Sequence, residues 1–284
     1  MNRLNTKPEL ADYTKLHFIA SRGTYYEVLY CLKKYSNYIN KIDEHYHTPL
    51  HYAIEYNQPI DIINLLLSYG AHVNAHFSRG YETALHLAVE NNNYNLVKLL
   101  LDNNANVNIR NSRGETPLHI ACINSVCNRV KIVYDLINHG ANLEARDKDG
   151  LTPLMYAARA NNVNYINALM LNKAYAYAQD NEGNTALHYA AQKKDIEGKS
   201  HALRFLLRRG VDPNIRNKEG LTPLHLAAYF ENQHAIYLLK DYGASRYIRT
   251  NEGITPLDSI GGPSVSICIK LMLNEKYYAR EEED

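Results

Sequence analysis

The 284 residues contain no tryptophan, only 4 phenylalanines and only 4 cysteines. The cysteines, Cys31, Cys122, Cys127 and Cys268, stand at scattered apolar helical positions without disulfide or CxxC spacing. That excludes a disulfide scaffold and predicts buried thiols in a reducing compartment. Long apolar runs are missing as well. The longest, around Ile62–Leu67 and Leu96–Leu101, fall far short of a membrane span. Met1-Asn2-Arg3-Leu4-Asn5-Thr6-Lys7 offers no apolar stretch for a signal peptide. Charge of one sign is also lacking: 31 Lys+Arg stand against 30 Asp+Glu, a net +1. Nothing global therefore argues for nucleic acid or a membrane surface as partner. These absences predict a soluble, intracellular, cytoplasmic chain acting as a monomer. In contrast, there are 24 tyrosines and 32 asparagines. Together with abundant Lys and Ile they match AT-rich codons and a low-GC genome, such as that of an intracellular bacterium, a parasite or a large DNA virus.

The chain is dominated by a recurring stretch, most complete as Gly114-Glu115-Thr116-Pro117-Leu118-His119-Ile120-Ala121. Close copies are Thr48-Pro49-Leu50-His51, Thr83-Ala84-Leu85-His86, Thr185-Ala186-Leu187-His188 and Thr222-Pro223-Leu224-His225. Thr14-Lys15-Leu16-His17, Thr152-Pro153-Leu154-Met155 and Thr255-Pro256-Leu257-Asp258 are degenerate ones. The threonines are spaced by 34, 35, 33, 36, 33, 37 and 33 residues. A period of this size means an array of stacked units rather than one globular core.

The unit starting at Thr83 shows the mechanics. Thr83 is placed to N-cap a helix, and sister units carry proline at N1, where no helical hydrogen bond is lost. Leu85, Leu87, Ala88 and Val89 form the apolar face of a short first helix, and Asn91-Asn92-Asn93 is a turn. Leu96, Val97, Leu99, Leu100 and Leu101 give a second helix with an apolar stripe. Asn104 ends it, at the place held by Gly70, Gly140, Gly210 and Gly243, which suits a left-handed residue. Val107–Gly114 then crosses back, with Gly114, Gly80, Gly150, Gly183, Gly220 and Gly253 in matching tight turns.

These motifs resemble the ankyrin-repeat family, whose repeat is a β-turn plus two antiparallel helices bearing T-P-L-H-x-A. The resemblance covers about residues 14–275 and implies an all-α-dominated ankyrin-repeat solenoid. The expected organisation is a lead-in at 1–13, seven repeats over 14–254, a capping repeat at 255–278 and an acidic tail at 279–284. Extra residues fall between the two helices of a repeat, at Asn124–Val130, Gln192–His201 and Gln58-Pro59, and Pro59 is expected to open its second helix. Two positions depart from the pattern. Tyr46 replaces the turn glycine of the first repeat, and Lys173 replaces the helix-ending glycine of another. Lys173 predicts a different helix end, because a left-handed lysine costs about 1 kcal/mol.

Thirteen histidines invite a metal or catalytic reading. Six of them (His17, His51, His86, His119, His188, His225) are the repeat histidine. The resemblance implies that this residue hydrogen-bonds backbone and threonine hydroxyl between neighbouring repeats. His45-Tyr46-His47 with His51, and His72 with His76, are the best remaining metal candidates, but no acidic partner accompanies them at ligand spacing. There is no Gly-rich phosphate loop. The expectation is no catalytic residue, no metal, no cofactor and no enzyme activity.

Specificity then falls to the finger tips and the exposed ends of first helices, which the family lines up along one concave face. The first tip position reads Ile42, His76, Arg110, Arg146, Gln179, Arg216 and Arg249, with Arg113 and Tyr81 nearby. The arginine row has two readings. It meets an acidic partner surface, or each arginine pairs with a tip acid such as Glu115, Asp149 or Glu219 and keeps the edge soluble. At the helix ends Tyr229-Phe230 stands out as an interface anchor. Its alternative role is packing against the C-terminal cap. Ile123 is a further candidate, and Tyr56 with Tyr52 a weaker second site. The expected function is non-catalytic binding of a protein partner. The alternatives are an adaptor that recruits an enzyme, or sequestration of a transcription factor resembling the NF-κB inhibitors. Residues 1–13 lack an evident phosphodegron, and 256–284 leave little room for an F-box, SOCS-box or kinase-like segment.

Overall fold

The computed structural model describes residues 12–77, 82–123, 130–192 and 199–259. Fourteen α-helices among them form seven pairs. The pairs are α1 (Asp12–Arg22) with α2 (Tyr25–Tyr35), α3 (Pro49–Glu55) with α4 (Ile60–Ser68), and α5 (Ala84–Glu90) with α6 (Tyr94–Asp102). They continue as α7 (Pro117–Ile123) with α8 (Val130–Asn138), α9 (Pro153–Arg159) with α10 (Val163–Leu171), α11 (Ala186–Gln192) with α12 (His201–Arg208), and α13 (Pro223–Tyr229) with α14 (Gln233–Asp241). Between α4 and α5, β1 (His76–Phe77) pairs antiparallel with β2 (Glu82–Thr83), His76 opposite Thr83 and Phe77 opposite Glu82.

Helices of 7 residues such as α3 and α13 are too short to persist alone in water. Three local devices start them. Thr48, Thr83, Thr152 and Thr222 sit at the N-cap with extended backbone, and proline follows in three of the four. The motif leucine then anchors each helix: Leu50, Leu85, Leu118, Leu154, Leu187 and Leu224 are all fully buried. Second helices bury their stripe in the same way, as with Leu96, Val97, Leu100 and Leu101 on α6, while Leu87 and Leu99 are only half-buried.

Two compact units emerge, Met1–Ala121 with Tyr134–Ala141, and Cys122–Val133 with Asn142–Asp284. In the first, α1 packs on α3 and α3 on α5, while α2 packs on α4 and α4 on α6. In the second, α9 packs on α11 and α11 on α13, with α10, α12 and α14 following the same order. Within each unit a helix thus meets its counterpart in the next pair, so stability comes from nearest-neighbour contacts.

Helix ends follow the left-handed pattern. Gly70, Gly140, Gly210 and Gly243 have φ between 79 and 88°, and Asn104 has 61°. Lys173 corrects an expectation. Its φ is 71°, its N–H bonds the Met170 carbonyl, and the Ala174 N–H bonds that of Leu169. Gly70 and Ala71 make the same two bonds, to Leu67 and Leu66. Those bonds and the buried Ala174 hold the lysine in the strained region rather than letting the helix end differently. Tyr46 likewise takes the turn-glycine conformation, with φ 64°. At Gly150, Gly183 and Gly220 glycine is required for space as well as for φ. A Cβ on Gly150 would lie 2.6 Å from Asn181 Oδ1 and 2.8 Å from its amide nitrogen.

Thr14, in the degenerate first copy of the motif, lies within α1. Pro59 does stand at the N-cap of α4, as its position suggested. The insertions around 124–129 and 193–198, Gly80, Tyr81, Cys127, Cys268 and the cap beyond Ser259 lie outside the described residues.

Candidate protein-binding surface

The repeat histidines are accounted for first. In five repeats the threonine N–H donates to histidine Nδ1, at 3.0 Å for Thr48–His51, 3.2 Å for Thr83–His86, and 3.1 Å for Thr116–His119, Thr185–His188 and Thr222–His225. Nδ1 is thereby the unprotonated nitrogen, and Nε2–H is left as donor. It reaches a backbone carbonyl further along the chain: Ala75 from His51 (3.1 Å), Glu115 from His86 (3.2 Å), Leu221 from His188 (3.1 Å) and Ile254 from His225 (3.1 Å). The threonine contact therefore lies within one repeat and only the carbonyl contact crosses to the next, which corrects the expected pattern. Burial pushes His51, His86 and His188 down to about 4, against the pull of the carbonyl each one faces. His225 is lowered for the same reason. Such neutral imidazoles, spent on both nitrogens, have no lone pair to offer a metal or substrate. Where histidine is replaced, Met155 Sδ accepts the Thr152 N–H at 3.4 Å, and Asp258 Oδ2 accepts the Thr255 N–H at 2.9 Å.

A second recurring pair joins tyrosine to aspartate. Tyr52 donates its hydroxyl to Asp43 Oδ2 at 2.7 Å and Tyr156 to Asp147 Oδ2 at 2.8 Å, and Tyr189 bonds Asp180 in the same way. The other aspartate oxygen accepts finger N–H groups, as Asp147 Oδ1 does from Asp149 and Leu151. Burial, followed by the aspartate itself, pushes the Tyr52 and Tyr189 hydroxyls well above the usual range. A signal was present in the sequence: Asp five before the motif threonine occurs with Tyr four after it. Where Asn111, Asn217 or Thr250 stands instead, the later position is Ile120, Leu226 or Ser259.

At the finger tips the arginine row is turned inward. Arg110 Nε donates to the Gly114 carbonyl at 3.0 Å, and Arg249 Nη1 to that of Gly253 at 2.6 Å. Arg146 reaches the carbonyls of Gly150 and Gln179. Arg216 reaches those of Gly220 and Arg249, and Asn251 Oδ1 at 3.2 Å. The guanidinium thus closes its own turn, four residues on, and in two cases braces the following finger. Arg113 does pair with an acid, its Nε lying 2.8 Å from the buried Glu115. The expectation of an acidic partner rested on this row. These bonds engage only part of each guanidinium's five N–H donors and leave its charge in place, so an acidic partner surface stays a proposal for the row.

The helix ends differ from one another. Tyr229 is 61% exposed and Phe230 46%, and their rings meet edge to face at 5.1 Å. Beside them lies a groove of about 830 Å³, floored by the half-buried Leu221, Leu226 and Ile254. Tyr56 is exposed too, but it is already engaged: it stacks on Tyr52 at 6.1 Å, and the Arg22 guanidinium lies 5.7 Å from its ring and 5.7 Å from that of Phe18. Ile123 is exposed at the end of α7. Tyr81 lies outside the described residues. The structure therefore gives Tyr229 and Phe230 a groove and gives Tyr56 a cation.

Among the described residues no group of three His, Cys, Asp or Glu side chains could hold a metal ion. No helix among them is long and apolar enough to cross a membrane. Cys31 and Cys122 are buried and unbridged, and burial raises the Cys31 thiol.

Paired short helices, threonine caps and the crossing histidine bond together define a class of tandem helical repeat. Family models described as ankyrin repeats in three copies match residues 2–77, 75–147 and 126–198. A many-copy ankyrin model matches 176–227, and a single ankyrin repeat matches 219–251. The chain belongs to the ankyrin-repeat family, and its fold is an all-α-dominated ankyrin-repeat solenoid. Ankyrin repeats are generic protein–protein interaction modules, typically non-catalytic. No curated protein matches the chain.

Proposed function

We propose that this chain is a non-catalytic module that holds a protein partner against its finger tips and the ends of its first helices, with Tyr229 and Phe230 as the anchor. One observation carries the reading: two adjacent large aromatics are left exposed, Tyr229 mostly and Phe230 by nearly half, beside an apolar-floored groove. Aromatic residues of this kind dominate interface energetics when a partner covers them. Their mutual edge-to-face contact holds the rings in place before binding, which lowers the ordering cost. Recruiting an enzyme and sequestering a partner would both use this surface. The test is affinity capture on wild type and on the Tyr229→Ala/Phe230→Ala variant. Partner recovery should fall at least about tenfold in the variant, as expected for a hot-spot pair. Equal recovery would remove the anchor.

A further inference from the structure

We infer that Leu221, Leu226 and Ile254 are the specificity-determining residues of this groove, and that they fit it to a partner segment presenting apolar side chains, selected without regard to charge. This rests on the binding reading above and adds which residues select and what chemistry they select.

Counting from the motif threonine shows what sets this groove apart. Its floor comes from three places: the residue before the threonine, the residue four after it, and the residue before the next threonine. Here these are Leu221, Leu226 and Ile254, aliphatic and half-buried. Every earlier repeat has His47, Glu82, Glu115 or Asn184 in at least one of the same three places. The middle place differs as well. Tyr52, Tyr156 and Tyr189 stand there in other repeats, each tied by its hydroxyl to the aspartate of its own finger. In the repeat from Thr222 the corresponding pair is Asn217 and Leu226, with no ring or hydroxyl to make that tie. The same repeat alone ends its first helix on two large aromatics, Tyr229 and Phe230. An aliphatic floor and an aromatic wall thus fall together once in the chain, around a space of about 830 Å³. Clefts of about 300–1,000 Å³ enclose a drug-sized molecule, so more than one partner side chain fits.

The rim adds no sign. Lys218, Arg216 and Arg249 keep their positive charge while bonded to carbonyls, and they balance Glu219, Glu252 and Asp258. What remains to favour an occupant is the apolar surface that it and the groove remove from water together. A buried polar group on the occupant would find the hydroxyl-free floor unable to pair with it.

The experiment is selection from a random-peptide display library on the full chain, followed by fluorescence-anisotropy titration of the synthesised hits at low and high salt. Two variants change the floor and keep the fold. Leu221→Asn/Ile254→Asn installs the residue that Asn184 supplies at this register, and the carbonyls that meet His188 and His225 remain. Leu226→Tyr installs the ring found in three sister repeats. The expected hits share apolar residues and no common charge. Their affinity should fall about tenfold in each floor variant and in Tyr229→Ala/Phe230→Ala. It should change less than about twofold in Glu219→Gln/Glu252→Gln or between the two salt concentrations. Hits with a shared charge that weaken in the Gln variant or at high salt would overturn the charge-indifferent assignment. Hits that need Tyr229 and Phe230 but bind both floor variants fully would overturn the role of the floor and leave the binding reading standing. Hits that bind every variant equally would overturn the two together. Selection only of sequences matching residues 264–278 would name the chain itself as occupant and overturn the proposal.

Discussion

His225 and Tyr229 are one helical turn apart on α13, yet they belong to different regimes. His225 is fully buried, and each of its ring nitrogens is matched within and between repeats. Tyr229 is mostly exposed, meets its neighbour's ring and lines the groove. The seam of threonine and histidine recurs with closely similar distances along the chain, while the helix ends change from repeat to repeat. What recurs is spent on holding the repeats together. Only what varies, and is left unspent, is available to a partner.

The contrast breaks most readily under acid. His51, His86 and His188 titrate near 4 in the fold, below the ordinary 6.5. A depressed histidine holds its stabilisation above the unfolded pKa, so stability should be full above about pH 6.5 and fall as pH drops towards 4. Each of these three should contribute on the order of 3 kcal/mol across that window, by the conversion of pKa shift to free energy. Urea titrations at neutral pH and at about pH 4.5 measure it. His188→Gln should show a shallower pH dependence, whereas Tyr229→Ala should keep the wild-type one.

A smaller effect is expected at the aspartate clasp. Tyr189→Phe deletes the hydroxyl that meets Asp180, a residue only 7% exposed. Leaving a buried carboxylate short of one donor should cost about 1–3 kcal/mol in urea unfolding at neutral pH. No loss would mean that the clasp belongs with the variable surface.

Lys173→Gly should act in the opposite direction. It relieves a left-handed lysine whose φ is 71° and should stabilise the chain by about 0.5–1 kcal/mol in the same assay. The smallest effect on folding is expected in the groove. Tyr229→Ala/Phe230→Ala should leave unfolding free energy within about 0.5 kcal/mol of wild type. A loss above about 2 kcal/mol would make the pair part of the scaffold.

Periodicity made the scaffold legible. Threonine, leucine and glycine at fixed intervals report which backbone is capped, buried or left-handed, and the helix pairs follow. Long side chains were less readable. A row of arginines in register says that the side chains start alike, but an arginine has five N–H donors and can end on a carboxylate or a carbonyl. Arg216 ends on carbonyls, which only the folded finger places within reach. Lys173 was misjudged because propensity was weighed without the two backbone bonds that fix its turn. The exposed aromatic pair was visible in the sequence. The groove beside it was not, because Leu221 and Ile254 meet Leu226 there only once the fingers are folded.

The crossing histidine bond always ends on a main-chain carbonyl, and the residue carrying it differs each time: Ala75, Glu115, Leu221, Ile254. Every amino acid supplies that acceptor equally well. At the half-buried junctions Ala75, Leu221 and Ile254 mutation can therefore change the side chain without removing the acceptor, whereas Glu115 is buried and held by Asn111 and Arg113. New specificities become reachable one substitution at a time, with no compensating change in the neighbouring repeat.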